Sequence, residues 1–237
     1  MLIDELLTTL FDGQSSHPLA RTIATWLTSS RRFTAFVNTH QTKIRKKLRV
    51  AKDPEHQRDL QLELETAYLL LRERSLNVEY ESQPPERGRN PDFAVSLTTS
   101  FVFMVEVTRL RAALLIPQVD ERFTDMLCNK LGQLLPQRSN LLLIGVEAPF
   151  LVTHEDLHTT MLHLQQRAEN NDPTAVQRHG FRDRADFFHH YQRLSAILLR
   201  GGTPLKASEP IVLWNNPQAK YLLPAKVRTA LARSHTL

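Results

Sequence analysis

The sequence has a single cysteine, Cys128, among 237 residues. One cysteine excludes an internal disulfide framework and a cysteine-based zinc site, and it suits a reducing compartment. No apolar run approaches the roughly 18 residues that a membrane span needs. Asp4 and Glu5 lie where a signal peptide would carry positive charge. We therefore expect a cytoplasmic protein that does not associate with membranes.

Glycine is also scarce, with seven residues in the whole chain. The sequence contains no G-x-S-x-G motif, no P-loop and no dinucleotide fingerprint, so these common catalytic and phosphate-binding loops are excluded. Apolar residues make up 41% of the chain, which is sufficient for a real core. The scarcity of cysteine and glycine therefore excludes particular kinds of functional site, and it does not exclude a folded protein.

The net charge of +5 favours an anionic partner only where the positive charge is clustered. One cluster contains six cations within ten residues and no acid before Asp53: Lys43, Arg45, Lys46, Lys47, Arg49 and Lys52. We expect this segment to contact nucleic-acid phosphates without reading sequence, because no aromatic residues are interleaved with the cations. A solvated helix face is the alternative.

Apolar spacing predicts an α/β fold with a central mixed sheet flanked by helices. A helical N-terminal extension is expected at 1–58, followed by one α/β domain at 59–237. The predicted helices of that domain are 59–74, 119–135, 154–169 and 224–233, with an amphipathic stretch around 187–188. The predicted strands are 76–80, 93–97, 101–108 and 141–146, with a loop at 84–88 and a turn at 98–100. Two apolar runs follow in the tail, at 196–199 and 211–214.

The predicted helix 59–74 carries an apolar stripe of Leu60, Leu64, Ala67 and Leu71. Glu63 borders this stripe, whereas Glu65 falls on the face that holds Arg58, Gln61 and Arg72.

Glu106 is an acid inside the apolar run 101–108. An ionised carboxylate is costly to bury without compensation, so its position needs an explanation. Asp92 lies fourteen positions upstream, which leaves room for a short strand, a turn and a return strand that bring both carboxylates together. Two hard oxygen ligands suit Mg²⁺ or Mn²⁺. The alternative is an ion pair between Glu106 and Arg109 or Arg111.

The order of these elements and acids resembles the PD-(D/E)XK nuclease superfamily, which has the restriction-endonuclease-like fold. That family has a helix, a three-stranded meander, a helix and a strand, with an Asp opening the second strand and Glu-x-Lys on the third. The resemblance implies that Asp92 and Glu106 bind one or two divalent ions. It extends this role to Glu63 on the first helix and to the Val107 carbonyl.

The third strand departs from the family pattern, because Thr108 stands where lysine is usual. A threonine hydroxyl can hydrogen-bond a water but supplies no positive charge. Some members of the superfamily take the lysine from the following helix, where Lys130 is available. We expect Thr108 and Lys130 to share the lysine's catalytic role, and Arg109 and Arg111 to meet a phosphate.

The resemblance implies Mg²⁺- or Mn²⁺-dependent hydrolysis of phosphodiester bonds in nucleic acid, with DNA favoured over RNA. Many such nucleases cut two strands as dimers, so a homodimer is compatible with it. The first alternative is a nuclease-like domain that binds nucleic acid or a partner protein without cleaving.

A second alternative rests on the sequence from His154 to His158, which matches H-E-x-x-H. In that motif two histidines bind zinc and Glu155 acts as the base of a peptidase. However, Thr153 and Asp156 have the spacing of a capping box, which would place the histidines in the first helical turn. The pattern then marks the start of a solvated helix.

Overall fold

The computed structural model describes residues 3–14, 16–81, 90–98, 101–111, 119–146, 153–201 and 211–235. The helices are α1 Ile3–Leu10, α2 Ala20–Ser29, α3 Arg31–Thr39, α4 Gln41–Val50, α5 Pro54–Arg72, α6 Val119–Leu131, α7 His154–Glu169, α8 Arg184–Tyr191 and α9 Ala225–His235, with a short 3-10 turn at Gln177–His179. The strands are β1 Leu76–Tyr80, β2 Phe93–Leu97, β3 Phe101–Leu110, β4 Ser139–Val146, β5 Leu194–Gly201 and β6 Ile211–Asn215.

The strands form one six-stranded sheet in the order β1 to β6. β1, β2 and β3 pair antiparallel as a meander, β3, β4 and β5 pair parallel, and β6 closes the edge antiparallel. Helices lie in the connections of both parallel pairs, with α6 between β3 and β4 and with α7 and α8 between β4 and β5, since a parallel neighbour needs a long crossover. The predicted α/β fold with a mixed sheet flanked by helices is therefore confirmed.

Alternating side chains of the central strands face two separate cores. Phe103 and Val105 of β3 pack with the N-terminal helices and α9. Leu142 and Ile144 of β4 pack on the opposite side with α6, α7 and α8. All eight residues of β4 are buried, as expected for a strand covered on both faces.

Helix α5 begins at Pro54, five residues before the predicted start at Asp59. The Asp53 side chain accepts hydrogen bonds from the Glu55 and His56 amides, and proline at the first helical position is compatible with this start. The predicted boundary at 58/59 therefore falls inside a helix. The helices of the N-terminal extension also share one hydrophobic core with the sheet.

Helix α5 lies close to the sheet at Gly145, where an added Cβ atom would meet the Leu62 side chain at 2.6 Å. A glycine on β4 thus allows the helix to approach the strand. Glu65 differs from its expected place on a polar face, because it is only 3% exposed and forms an ion pair with Arg200 of β5. Arg200, the cation that pairs with Glu65 in the interior, lies far from Glu65 in the sequence.

The remaining predicted elements fit the structure, with shifts at their ends. β3 continues to Leu110, and α6 ends at Leu131, four residues before the predicted end. The predicted loop at 84–88 and two residues of the turn at 98–100 lie outside the described residues. Across the described ranges, every helix is too short or too polar to cross a membrane.

Candidate metal centre

Asp92 lies immediately before β2, where the register pairs Phe93 with Val105. This register places Asp92 beside Glu106 on the neighbouring strand. The backbone N–H of Val107 donates a hydrogen bond of 2.8 Å to Asp92 Oδ2, and the N–H of Glu81 donates one of 3.0 Å to the Asp92 carbonyl. The backbone therefore holds Asp92 where β1 and β2 meet the middle of β3.

Asp92 has an unusual electrostatic environment. Burial raises the pKa of its carboxyl to about 8, and the negative charges of Glu106 and Glu63 act in the same direction. The Val107 amide and the positive charge of Lys47 oppose this shift only in part. A bound cation would stabilise negative charges that lie close enough to raise the pKa of a carboxyl. Such clusters of acids are therefore typical of metal and catalytic sites.

Glu106 forms its ion pair with Lys130 of α6, at 2.7 Å from Nζ to Oε1. Both side chains are mostly buried, at 12% and 22% exposure. Gln133 accepts a second bond from the same Nζ at 3.2 Å. The structure thus brings Lys130 to the acid of β3, and the partner expected in the alternative, Arg109 or Arg111, lies elsewhere.

Glu63 of α5 contributes a third carboxylate to the neighbourhood of Asp92. Lys47 of α4 holds it, with Nζ 2.6 Å from Glu63 Oε1 and 2.8 Å from Glu81 Oε1. The same Nζ lies 4.8 Å from the centre of the Tyr80 ring. Lys47 therefore ties Glu63 to the end of β1.

We compared this set of groups with the needs of Mg²⁺ and Mn²⁺. Within the described ranges, no three side chains of His, Cys, Asp or Glu lie close enough to hold a metal ion together. Mg²⁺ usually keeps several waters and needs only one or two carboxylates from the protein. Asp92 and Glu106 fit that smaller requirement, whereas Glu63 would join them only through water or after release from Lys47.

Protein-family models, curated proteins and solved structures were compared with the chain. None of them matched. The site therefore has to be interpreted from its own geometry.

Thr108 lies two residues after Glu106 on β3, so both side chains belong to the same face of the sheet. Its residue is half-buried, and the parallel register pairs it with Ile144 of β4. A neutral hydroxyl at this place can accept or donate a hydrogen bond. Positive charge on this face comes from Lys130 instead.

The basic segment 43–52 is less positive than its sequence predicts, because acids from distant parts of the chain pair with four of its six cations. Asp12 of the loop after α1 accepts hydrogen bonds from Arg45 and Arg49, each at 2.8 Å from Nε. Lys43 donates to the carbonyls of Tyr80 and Glu81 at 3.1 and 3.0 Å, and its Nζ lies 3.9 Å from the Glu81 carboxylate. Lys47 pairs with Glu63 and Glu81, as described above. The expectation of an unopposed positive segment is therefore wrong, although Lys46 is exposed.

Arg109 and Arg111 are likewise engaged within the chain. The Arg109 side chain is 5% exposed and contacts Glu55 at 2.6 Å and Asp59 at 2.9 Å. Arg111 contacts Asp59 at 2.8 Å. These pairs dock α5 on the end of β3, and they compete with the predicted contact to phosphate.

A cleft of about 580 Å³ lies between α4 and α5 and reaches Glu63. The residues that line it carry both signs of charge: Lys43, Lys46, Lys47, Val50, Ala51, His56, Asp59, Leu60, Glu63 and Glu81. Sequence reasoning missed Glu81 and Asp12, and no local signal identifies them, since each acts only through the fold. Of the carboxylates of Asp92, Glu106 and Glu63, only that of Glu63 is among the described residues that line this cleft.

The H-E-x-x-H segment begins α7, as the capping box predicted. Thr153 and Asp156 form both reciprocal hydrogen bonds of that motif. The His154 and His158 rings lie 6.5 Å apart, and Trp214 Nε1 donates to His158 Nδ1 at 3.4 Å. The described residues bring no third ligand to this pair. The geometry therefore lends no support to a zinc peptidase.

Proposed function

We propose that this protein is a nuclease that uses Mg²⁺ or Mn²⁺ to hydrolyse phosphodiester bonds in nucleic acid. The single observation that carries the proposal is the position of Asp92 beside Glu106 and of Lys130 on Glu106. Two neighbouring carboxylates, one of them paired with a lysine, have the chemistry required for metal-assisted phosphoryl transfer.

We propose further that the fold is of the restriction-endonuclease type. Its support is the succession of α5, the meander β1–β3, α6 and the parallel strand β4, which is the order expected from the resemblance. The acids also lie where that order requires them, with Asp92 at the start of the second strand and Glu106 on the third.

Asp92, Glu106 and the Val107 carbonyl are the groups that would hold the ion. When bound, a divalent ion supplies positive charge for the transition state and lowers the pKa of a water. The positive charge of the ion would also lower the pKa of Asp92, because Asp92 and Glu106 would then share a cation.

Lys130 takes the role of the missing strand lysine. Its ammonium orients the attacking water and carries positive charge toward the scissile phosphate. The Thr108 hydroxyl, on the same face of β3, hydrogen-bonds that water but adds no charge. Catalysis therefore depends on Lys130 more than on Thr108.

The nucleic acid approaches along the cleft between α4 and α5, where Lys46 is exposed for phosphate contact. Because most other cations of the segment are paired with acids, we expect few phosphate contacts and hence a shallow dependence of binding on salt. Changing Lys46 to Gln should weaken binding equally on different sequences.

The direct test is cleavage of plasmid DNA, linear duplex DNA, single-stranded DNA and RNA in Mg²⁺, in Mn²⁺ and in EDTA. Wild type should cleave at least one substrate with metal and none in EDTA, and Asp92→Asn should remove that activity. Glu155→Gln, which changes an exposed acid at the start of α7, is the matched control and should cleave as wild type does. No metal-dependent cleavage of any substrate, or full activity in Asp92→Asn, would contradict the proposal.

A second candidate is a domain that binds nucleic acid and does not cleave it. The observation that favours it is that Lys130 and Lys47 already neutralise Glu106 and Glu63 without a metal. Binding of the same substrates without cleavage, unchanged in Asp92→Asn, would select this candidate.

A further inference from the structure

A second pocket, which we call the Arg193 pocket, lies at the amino ends of β4 and β5. Its volume is about 280 Å³. The residues that matter for its chemistry are Pro136, Gln137, His189, Arg193, Lys220 and Tyr221. Among the described residues it shares no lining with the cleft beside Glu63, and the nuclease proposal does not use it.

The walls of the Arg193 pocket are fixed by a buried side chain, Asn140, which is 2% exposed. Its Nδ2 donates to the carbonyls of Leu135, Arg138 and Arg193 at 2.9, 3.0 and 2.9 Å. Its Oδ1 accepts from the Leu135 amide at 3.2 Å. One asparagine therefore joins the loop after α6 to the segment before β5, so these two walls are formed in advance of any ligand.

The segment that carries Lys220 and Tyr221 forms the third wall of the pocket, and two hydrogen bonds hold it to residues at and just before the start of β5. The N–H of Lys220 donates to the Gln192 carbonyl at 2.9 Å, and the Ser195 hydroxyl donates to the Tyr221 carbonyl. Ligand pockets are usually formed in this way before the ligand arrives. The position of Lys220 and Tyr221 opposite Arg193 is thus a stable feature of the fold.

The pocket is positively charged. Its lining includes the cations Arg193 and Lys220, and none of the described residues that line it is acidic. Asp186 is the acid whose charge acts on Arg193, and its carboxylate already accepts the Arg182 side chain at 3.2 Å. The cations therefore face the cavity without a carboxylate inside it.

The Arg193 guanidinium is only partly satisfied. Its Nε is buried and, among the described residues, has no hydrogen-bond partner, and one terminal nitrogen donates to the Leu134 carbonyl at 3.5 Å. Because Nε itself is inaccessible, a ligand would meet the remainder of this side chain, which lines the cavity. An anion with several oxygens in the cavity would supply hydrogen-bond acceptors for it.

We propose that the Arg193 pocket binds a small phosphomonoester. The phosphate lies against Arg193 and Lys220, and the organic part lies against Pro136 and the Tyr221 ring. The volume is close to the lower end of the roughly 300–1,000 Å³ typical of ligand pockets, which suits one nucleotide-sized compound and excludes a duplex. This inference is independent of the proposed nuclease function.

The test is calorimetric titration of the full chain with adenosine monophosphate, inorganic phosphate and adenosine, all in EDTA. The chelator removes metal-dependent phosphate binding at Asp92, so the result does not depend on the nuclease proposal. Adenosine monophosphate should bind, inorganic phosphate should bind at least about fivefold more weakly, and adenosine should not bind. A 5′-phosphorylated trinucleotide that binds as well would assign the pocket to a nucleic-acid end, and one that does not would assign it to a free phosphomonoester.

Lys220→Gln is the decisive variant, because Lys220 is exposed and its loss should leave the fold intact. We expect it to weaken binding of adenosine monophosphate about tenfold, whereas Lys226→Gln, an exposed lysine of α9 outside the lining, leaves it unchanged. Equal affinity in wild type and Lys220→Gln would overturn the proposal. So would adenosine that binds as tightly as its monophosphate, or an absence of binding by all the phosphates.

Discussion

Two acids of this protein lie in the interior beside cations, but they differ in the charges around them. The charge that acts on Glu65 is that of Arg200, and it opposes the rise in pKa that burial causes. The charges that act most strongly on Asp92 are those of Glu106 and Glu63, and they add to the rise that burial causes. The first arrangement is a closed pair of opposite charges, whereas the second is a cluster of like charges.

This difference separates a structural ion pair from a candidate active site. Glu65 joins α5 to β5 across the sheet, so its cation is part of the architecture. Asp92 lies among acids that are held by Lys130 and Lys47 of two different helices. A fold gains no stability by gathering like charges, and such clusters are therefore typical of sites that take a cation.

The largest expected effect is on cleavage. Glu106→Gln should lower the cleavage rate at least about 1,000-fold, equivalent to about 4 kcal/mol, because it removes a proposed metal ligand. Glu65→Gln should leave the rate within about threefold under conditions in which it is folded, since Glu65 belongs to the structural pair. Rates measured with saturating Mg²⁺ decide the matter. Equal losses of cleavage rate in Glu106→Gln and Glu65→Gln would contradict the distinction between a candidate active site and a structural ion pair.

The second effect is on stability. Arg200→Met should lower the free energy of unfolding by about 3 kcal/mol or more, because it leaves the Glu65 carboxylate buried without its cation. Denaturant unfolding measures this loss. Adding Glu65→Leu to Arg200→Met should restore much of it, and a double variant as unstable as Arg200→Met would show that the pair has another role.

Lys130→Met should reduce cleavage about 100-fold, equivalent to about 2.7 kcal/mol, while metal affinity stays the same or rises. The reason is that Lys130 competes with the ion for Glu106 and acts on the water and phosphate. Arginine at this position keeps the positive charge but not the lysine's geometry toward the water, so the cleavage rate of Lys130→Arg separates the two roles. Cleavage equal to wild type in Lys130→Met would shift the role to Lys47 or Thr108.

A further effect concerns the stability of the metal-free protein as a function of pH. In the folded state Asp92 keeps its proton up to a pKa of about 8, whereas the unfolded chain loses it at a pKa of about 4. Between these values the folded state binds more protons, so a rise in pH lowers stability by at most about 1.4 kcal/mol per unit. The asparagine of Asp92→Asn does not titrate, so its free energy of unfolding lacks this fall with pH. In EDTA the stability of Asp92→Asn relative to wild type should therefore increase from pH 5 to pH 8. A difference that does not change with pH would contradict the assigned environment.

Much of the fold could be predicted from the sequence, because it follows from local periodicity. The α7 bounds were predicted to the residue, since Thr153 and Asp156 carry the capping pattern. The start of α5 was missed, because its first turn is polar and its apolar stripe begins only at Leu60. Glu65 was assigned to a polar face since nothing near it in the sequence indicates Arg200.

The acids Asp92 and Glu106 could be predicted from the sequence, and Lys130 through the resemblance, but the ion pairs around them could not. Asp92 and Glu106 stand out because acids are rare in and beside apolar strands, and the register that joins them follows from the length of the turn between β2 and β3. The ion pairs that occupy Lys47, Arg45 and Arg109 could not be predicted, because their acids come from other helices and loops. Charge counted along the sequence overstates charge on the folded surface for the same reason.

The most direct test of the central claim is a titration of the protein with Mn²⁺, followed by calorimetry or electron paramagnetic resonance. Wild type and Glu65→Gln should bind the ion with equal affinity, whereas Asp92→Asn and Glu106→Gln should each weaken it at least about tenfold. Retained Mn²⁺ affinity in Asp92→Asn, or no binding by wild type at millimolar Mn²⁺, would contradict a metal centre at Asp92 and Glu106.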